Sequence, residues 1–160
     1  MRTTTSSWIL AGILAGCGDS TQNPDETAAT YLDLARQQGV QVDWQLRDAV
    51  QEYLDVVGGD TSRLRRVVVA NPGAPEVYGI CTVYPELVPG LGEVREIRVA
   101  RRLLGDQHWL RLVVWHELAH CLGDLGHSGD PGSVMYRETT SENYELLESE
   151  ALQQIRELLQ

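Results

Sequence analysis

Basic residues are scarce in this 160-residue chain: thirteen stand against twenty-three acidic ones, for a formal net charge of −10. Such a surface repels phosphate backbones instead of releasing counterions from them, so no nucleic-acid partner is expected. Cysteine is sparse as well. Three residues cannot build a dense disulfide scaffold, although they suffice for one bridge and one cysteine with another task. Apolar runs stay far short of the ~20 residues that a membrane-spanning helix requires. No internal repeat and no low-complexity tract is present, which sets solenoids and arrays aside. What remains is 42% hydrophobic and 22% charged, an ordinary globular composition. A chain of this length buries roughly two thirds of its unfolded surface without staples.

The first seventeen residues, MRTTTSSWILAGILAGC, combine Arg2, a polar stretch and an eight-residue apolar run from Trp8 to Ala15, the profile of a signal peptide. The run ends in Leu14, Ala15, Gly16 and Cys17, which resembles the lipobox of bacterial lipoproteins. The resemblance implies that residues 1–16 are removed and that Cys17 is lipidated, anchoring the protein to a bacterial membrane, at the outer membrane or cell surface. The alternative is an ordinary secretory signal cut elsewhere, leaving a soluble exported protein. Either route leads to an oxidising compartment. Residues 17–24 are small and polar and read as a tether, leaving 25–160 as the folded domain.

Within that domain the spacing of apolar residues predicts helices over Asp25–Gln38 and Asp43–Val57, the second carrying Leu46, Val50, Tyr53, Leu54 and Val57. Strands are expected over Arg65–Ala70, Val77–Tyr84 and Glu93–Arg101, each bounded by Pro or Gly. Asp106 is an N-cap candidate for a helix reaching Leu122, with Gly123 positioned to end it in a left-handed turn. This segment is apolar nearly all round, which predicts burial. A final helix is expected from about Ser141 to Leu159, with Tyr144, Leu147, Ala151, Ile155 and Leu158 on one face.

The buried helix contains His116, Glu117, Leu118, Ala119 and His120. Residues four apart share a helix face, so both imidazoles can address one metal ion while Glu117 holds a carboxylate beside it. Four histidines in 160 residues make a chance H-E-x-x-H rare, on the order of 0.01 occurrences on composition alone. His127 follows beyond a glycine-rich bend, and His108, in the first turn of the same helix, reads as a surface or capping histidine.

HELAHCLG followed by HSGDPGSVMY resembles the metzincin metallopeptidases, above all the matrixin-like ones, whose signature is H-E-x-x-H-x-x-G-x-x-H and a methionine turn. His127 falls one residue later than that pattern prescribes, after which the spacing to methionine recovers. The resemblance implies Zn²⁺ held by His116, His120 and His127, with Asp124 or Glu138 as alternatives to the third, and Met135 as the Met-turn residue beneath the metal. Tyr136 is read as a packing residue. The implied fold is α/β (α+β): a small twisted, mostly parallel sheet with one antiparallel edge strand, packed on helices, then the metal-bearing helix, the Met-turn and a C-terminal helix. One strand fewer is visible than in a full-sized relative. Part of Ala74–Leu91 is expected to rim the cleft, where a peptide could add to a strand edge.

Cys121 follows a ligand but points about 100° away from it, poorly placed for the metal. In an exported protein the favoured state is a Cys81–Cys121 disulfide, with two buried thiols as the alternative. The function this implies is a zinc endopeptidase acting on peptides or proteins outside the cytoplasm, with Glu117 as general base. A zinc amidase acting on cell-wall peptide and a non-catalytic metal-binding surface lipoprotein are the rivals. The expected partners are a peptide or protein substrate and, through the lipid, a membrane; a monomer is expected.

Overall fold

The computed structural model describes residues 24–138, 145–146 and 148–160. The signal peptide, Cys17 and all but the last residue of the tether lie outside the described residues, as do Tyr144 and Leu147. Among the described residues four α-helices, α1 (Pro24–Arg36), α2 (Arg47–Val56), α3 (Gln107–Gly123) and α4 (Glu148–Leu158), accompany four strands. The strands are β1 (Gln41–Val42), β2 (Leu64–Ala70), β3 (Gly79–Tyr84) and β4 (Val94–Ala100). They form one sheet in the order β1-β2-β4-β3. The first three are parallel, and β3 lies antiparallel to β4 on the edge. This is the mixed α/β, mostly parallel architecture expected.

Several details differ from the sequence reading, among them the C-terminal helix, which runs Glu148–Leu158 with residues 145–146 non-helical rather than starting near Ser141. β1 is a fourth strand that was not foreseen; at two residues it has no alternation to reveal it, and its existence depends on pairing with Arg66 and Val67. The helix expected from Asp43 begins with a single 3₁₀ turn, Trp44–Leu46, before the α-helix starts at Arg47.

Strand alternation divides the molecule into three layers. Val67, Ile97, Val99 and Cys81 face a core built with α2, α3 and α4, whose contributions include Tyr53, Trp115, Leu118 and Ile155, joined by Leu46 of the 3₁₀ turn before α2. On the opposite face, Val94 and Tyr84 meet Tyr31 and Leu34 of α1. The indole of Trp115 donates to the Ala49 carbonyl at 2.8 Å, joining α3 to α2 through a satisfied buried polar group. Among the described residues no helix is long and apolar enough to cross a membrane.

α3 starts as its sequence indicates: the Asp106 side chain accepts the Trp109 backbone N–H at 3.0 Å. Its end differs. Gly123 remains helical, and the left-handed residue is Asp124, at φ 51°. A Cβ at Gly123 would stand 2.5 Å from Leu159 Cδ2, the tip of a partly exposed side chain just past α4, which would have to move aside. The short polar side chain of Asp124 tolerates the left-handed turn.

Candidate metal centre

His116 and His120 lie one turn apart on α3, both buried, and the bend after Asp124 returns His127 to them. One nitrogen from each of the three rings falls within 4.8 Å of the others. The ring centroids are 4.6 Å apart for His116–His120, 4.7 Å for His120–His127 and 5.3 Å for His116–His127. A tetrahedral zinc with bonds of about 2.0 Å asks for nitrogens about 3.3 Å apart, so the cluster is of the right size.

Backbone carbonyls set the tautomers. His116 Nδ1 donates to the Val134 carbonyl at 2.7 Å, and His120 Nδ1 donates to the Leu125 carbonyl. A carbonyl only accepts, so each neutral ring carries its proton on Nδ1 and presents a bare lone pair at Nε2. Those two Nε2 atoms face each other at 2.9 Å. Two lone pairs repel at that distance, and a cation is what reconciles them. Fixing the distal ring nitrogen by a carbonyl is also how ligating histidines are generally oriented.

Burial supports the same reading. It pushes the His116 imidazole down to about 3, with repulsion from His120 adding to the effect and the Val134 bond opposing it. His120 is lowered by burial too. Both rings are therefore neutral, the form in which imidazole binds metal.

Glu117 is buried on the β3 side of α3, where a Cβ on Gly79 would collide with it. Burial raises its carboxyl to about 8, opposed by a hydrogen bond from the Cys81 backbone. Its Oε1 has no hydrogen-bond partner within the protein, which is unusual for a buried carboxyl oxygen and marks a group that faces a missing polar partner.

The segment after His127 closes on itself. Ser128 N–H donates to the Met135 carbonyl at 2.8 Å, and Met135 is fully buried in the main core. Gln154 of α4 accepts the Val134 N–H at 3.1 Å, so the residue whose carbonyl orients His116 is tied to α4. Asp124, an alternative third ligand on sequence grounds, is engaged elsewhere: its Oδ1 meets Arg95 Nη1 at 2.7 Å and its Oδ2 lies 3.8 Å from Arg63 Nη2. Neither Asp124 nor Glu138 belongs to the three-histidine group. Cys81 and Cys121 form a disulfide with Cα atoms 5.7 Å apart, within the usual range. His108 sits on the surface of the first turn, 3.5 Å from Glu148.

Sequence reasoning missed three contributors. Gly79 gives Glu117 its space; a glycine in a strand pattern does signal a close approach. Arg95 is buried under the end of α3, with Nη1 donating to the Cys121 carbonyl at 2.6 Å, and Gln154 supports the turn. Neither carries a local signal, because both act on residues distant in sequence.

A family model for the matrixins matches residues 25–159. The chain belongs to the matrixin family of zinc-dependent metallopeptidases. Comparison with curated proteins and with solved structures finds no significant match.

Proposed function

We propose that the protein is a zinc endopeptidase that cleaves peptide bonds of proteins or peptides outside the cytoplasm. The observation that carries this reading is the pairing of three converging imidazoles with a buried carboxylate one residue from a ligand, its Oε1 lacking any protein partner. His116, His120 and His127 would hold the metal. Zinc, when bound, acts as a Lewis acid that polarises a carbonyl and makes water acidic enough to give up a proton near neutral pH.

The remaining chemistry belongs to the chain. Glu117 takes the proton from the attacking water and returns it to the leaving amine. The raised carboxyl suits both halves of that exchange, since a group titrating near the working pH can accept and release a proton. Backbone groups on the open side of edge strand β3 offer an extended peptide a partner, which favours an endopeptidase over an amidase or a non-catalytic metal binder.

Comparing Glu117→Gln with the wild type on a mixed peptide library is the test. A variant that keeps its zinc and loses turnover supports the role, whereas one that cleaves as fast as wild type refutes it. We further propose export and lipid anchoring through Cys17, supported by the lipobox-like sequence and by a disulfide suited to an oxidising compartment. Metabolic labelling with a fatty acid should mark the wild type and not Cys17→Ser; equal labelling of both contradicts the anchor.

A further inference from the structure

Strand alternation turns Gly79 and Cys81 of β3 toward α3. Gly79 leaves room for Glu117, since a Cβ there would lie 2.7 Å from Glu117 Cγ and 2.8 Å from Val113 Cγ1. The strand therefore lies close against Val113 and Glu117 of α3 at the height of the carboxylate, while β3, on the sheet edge, is held laterally by β4 alone. Two residues along the same face, Cys81 supplies a covalent bond to Cys121, the neighbour of His120.

The two ends of this bridge are not equally anchored. The Cys121 carbonyl is gripped by Arg95, whose guanidinium is in turn paired with Asp124 and Glu93. The Cys121 end of α3 is thus fixed to β4, whereas β3 has a strand neighbour on one side only.

We propose that Cys81 is a positioning residue: its bond to Cys121 holds the edge strand at a fixed distance from α3 and so keeps the Glu117 carboxylate in register with a peptide lying along β3. The proposal rests on the peptidase reading for its catalytic consequence. A displacement near 1 Å between reacting groups can cost about a hundredfold in rate, so a tie of this kind acts on turnover as well as on stability.

The test compares zinc-loaded wild type with Cys81→Ala/Cys121→Ala and with Cys81→Val/Cys121→Ala, the second pair restoring apolar volume so that a folded variant is in hand. The readouts are zinc stoichiometry, Tm, kcat and KM on a peptide substrate, and hydrogen exchange of the Ile80 and Thr82 amides of β3, which pair with Arg98 and Glu96 of β4. Expected are unchanged zinc, a kcat lowered roughly tenfold or more with KM changed far less, and an exchange rate raised roughly tenfold in both pairs. Lowered Tm with unaltered kcat and exchange overturns the proposal and leaves the bridge a simple staple. Should the wild type itself cleave nothing, the peptidase reading fails and the exchange rate decides alone. Ile80 and Thr82 amides still protected without the bridge then refute the positioning role, and amides that lose protection uphold it.

Discussion

Gly79 and Glu117 occupy the same space: a Cβ on residue 79 would lie 2.7 Å from Glu117 Cγ and 2.8 Å from its Oε1. The edge strand and the proposed general base are therefore fitted to each other by the absence of one methyl group. Gly79→Ala should push the carboxylate aside. The expected result is a kcat reduced about tenfold or more with zinc content unchanged, measured by peptide cleavage and elemental analysis. Wild-type kcat in this variant would show that the contact relaxes harmlessly.

Arg95 closes the other end of α3. Its side chain is 5% exposed and satisfies the Cys121 carbonyl while holding Asp124 in the left-handed turn that leads to His127. Arg95→Met keeps most of the volume and removes every hydrogen bond. It should destabilise the protein by about 2–4 kcal/mol in urea denaturation and weaken zinc binding, because the turn loses its anchor.

Gln154 reaches the metal centre at third hand, through the Val134 N–H and the carbonyl that orients His116. Gln154→Ala should therefore weaken zinc affinity by about tenfold, in the lower part of the range for residues that orient ligands, with little change in Tm of the metal-free protein. A competition titration against a chelator measures this directly; equal affinities would detach α4 from the site.

Metal-free protein should carry a pH signature of Glu117. Its carboxyl is raised from 4.5 to about 8 in the folded state, so the folded state binds the extra proton between those values. Stability from this group is therefore fully present below about pH 4.5 and is lost as pH rises through about 8. Glu117→Gln removes the loss. Denaturation in chelator should show the two proteins similar at pH 4.5 and the variant more stable by a few kcal/mol at pH 8.5. His116, lowered to about 3, works in the opposite sense, its contribution present above pH 6.5 and lost as pH falls toward 3 in both proteins alike.

Much of this arrangement was legible in the sequence because the signals are local. The i, i+4 spacing of His116 and His120 places both on one face of any helix that forms, and Asp106 caps that helix as its position suggests. The Cys81–Cys121 pairing followed from the compartment and the misdirection of Cys121 from the metal. Effects that depend on distant partners were not readable. β1 exists only through β2, the left-handed turn falls on Asp124 rather than on Gly123, and Arg95 acts on a carbonyl twenty-six residues away. The third histidine lay between: the sequence left Asp124 as an alternative, and the fold commits that carboxylate to Arg95.

The central claim is that His116, His120 and His127 together grip one zinc ion. Elemental analysis of the purified protein beside His127→Ala and His116→Ala/His120→Ala measures it most directly. The account predicts one zinc per wild-type chain, affinity lowered by orders of magnitude in His127→Ala and no zinc in the double variant. A wild-type protein without zinc, or a His127→Ala protein that binds it as tightly, would contradict it.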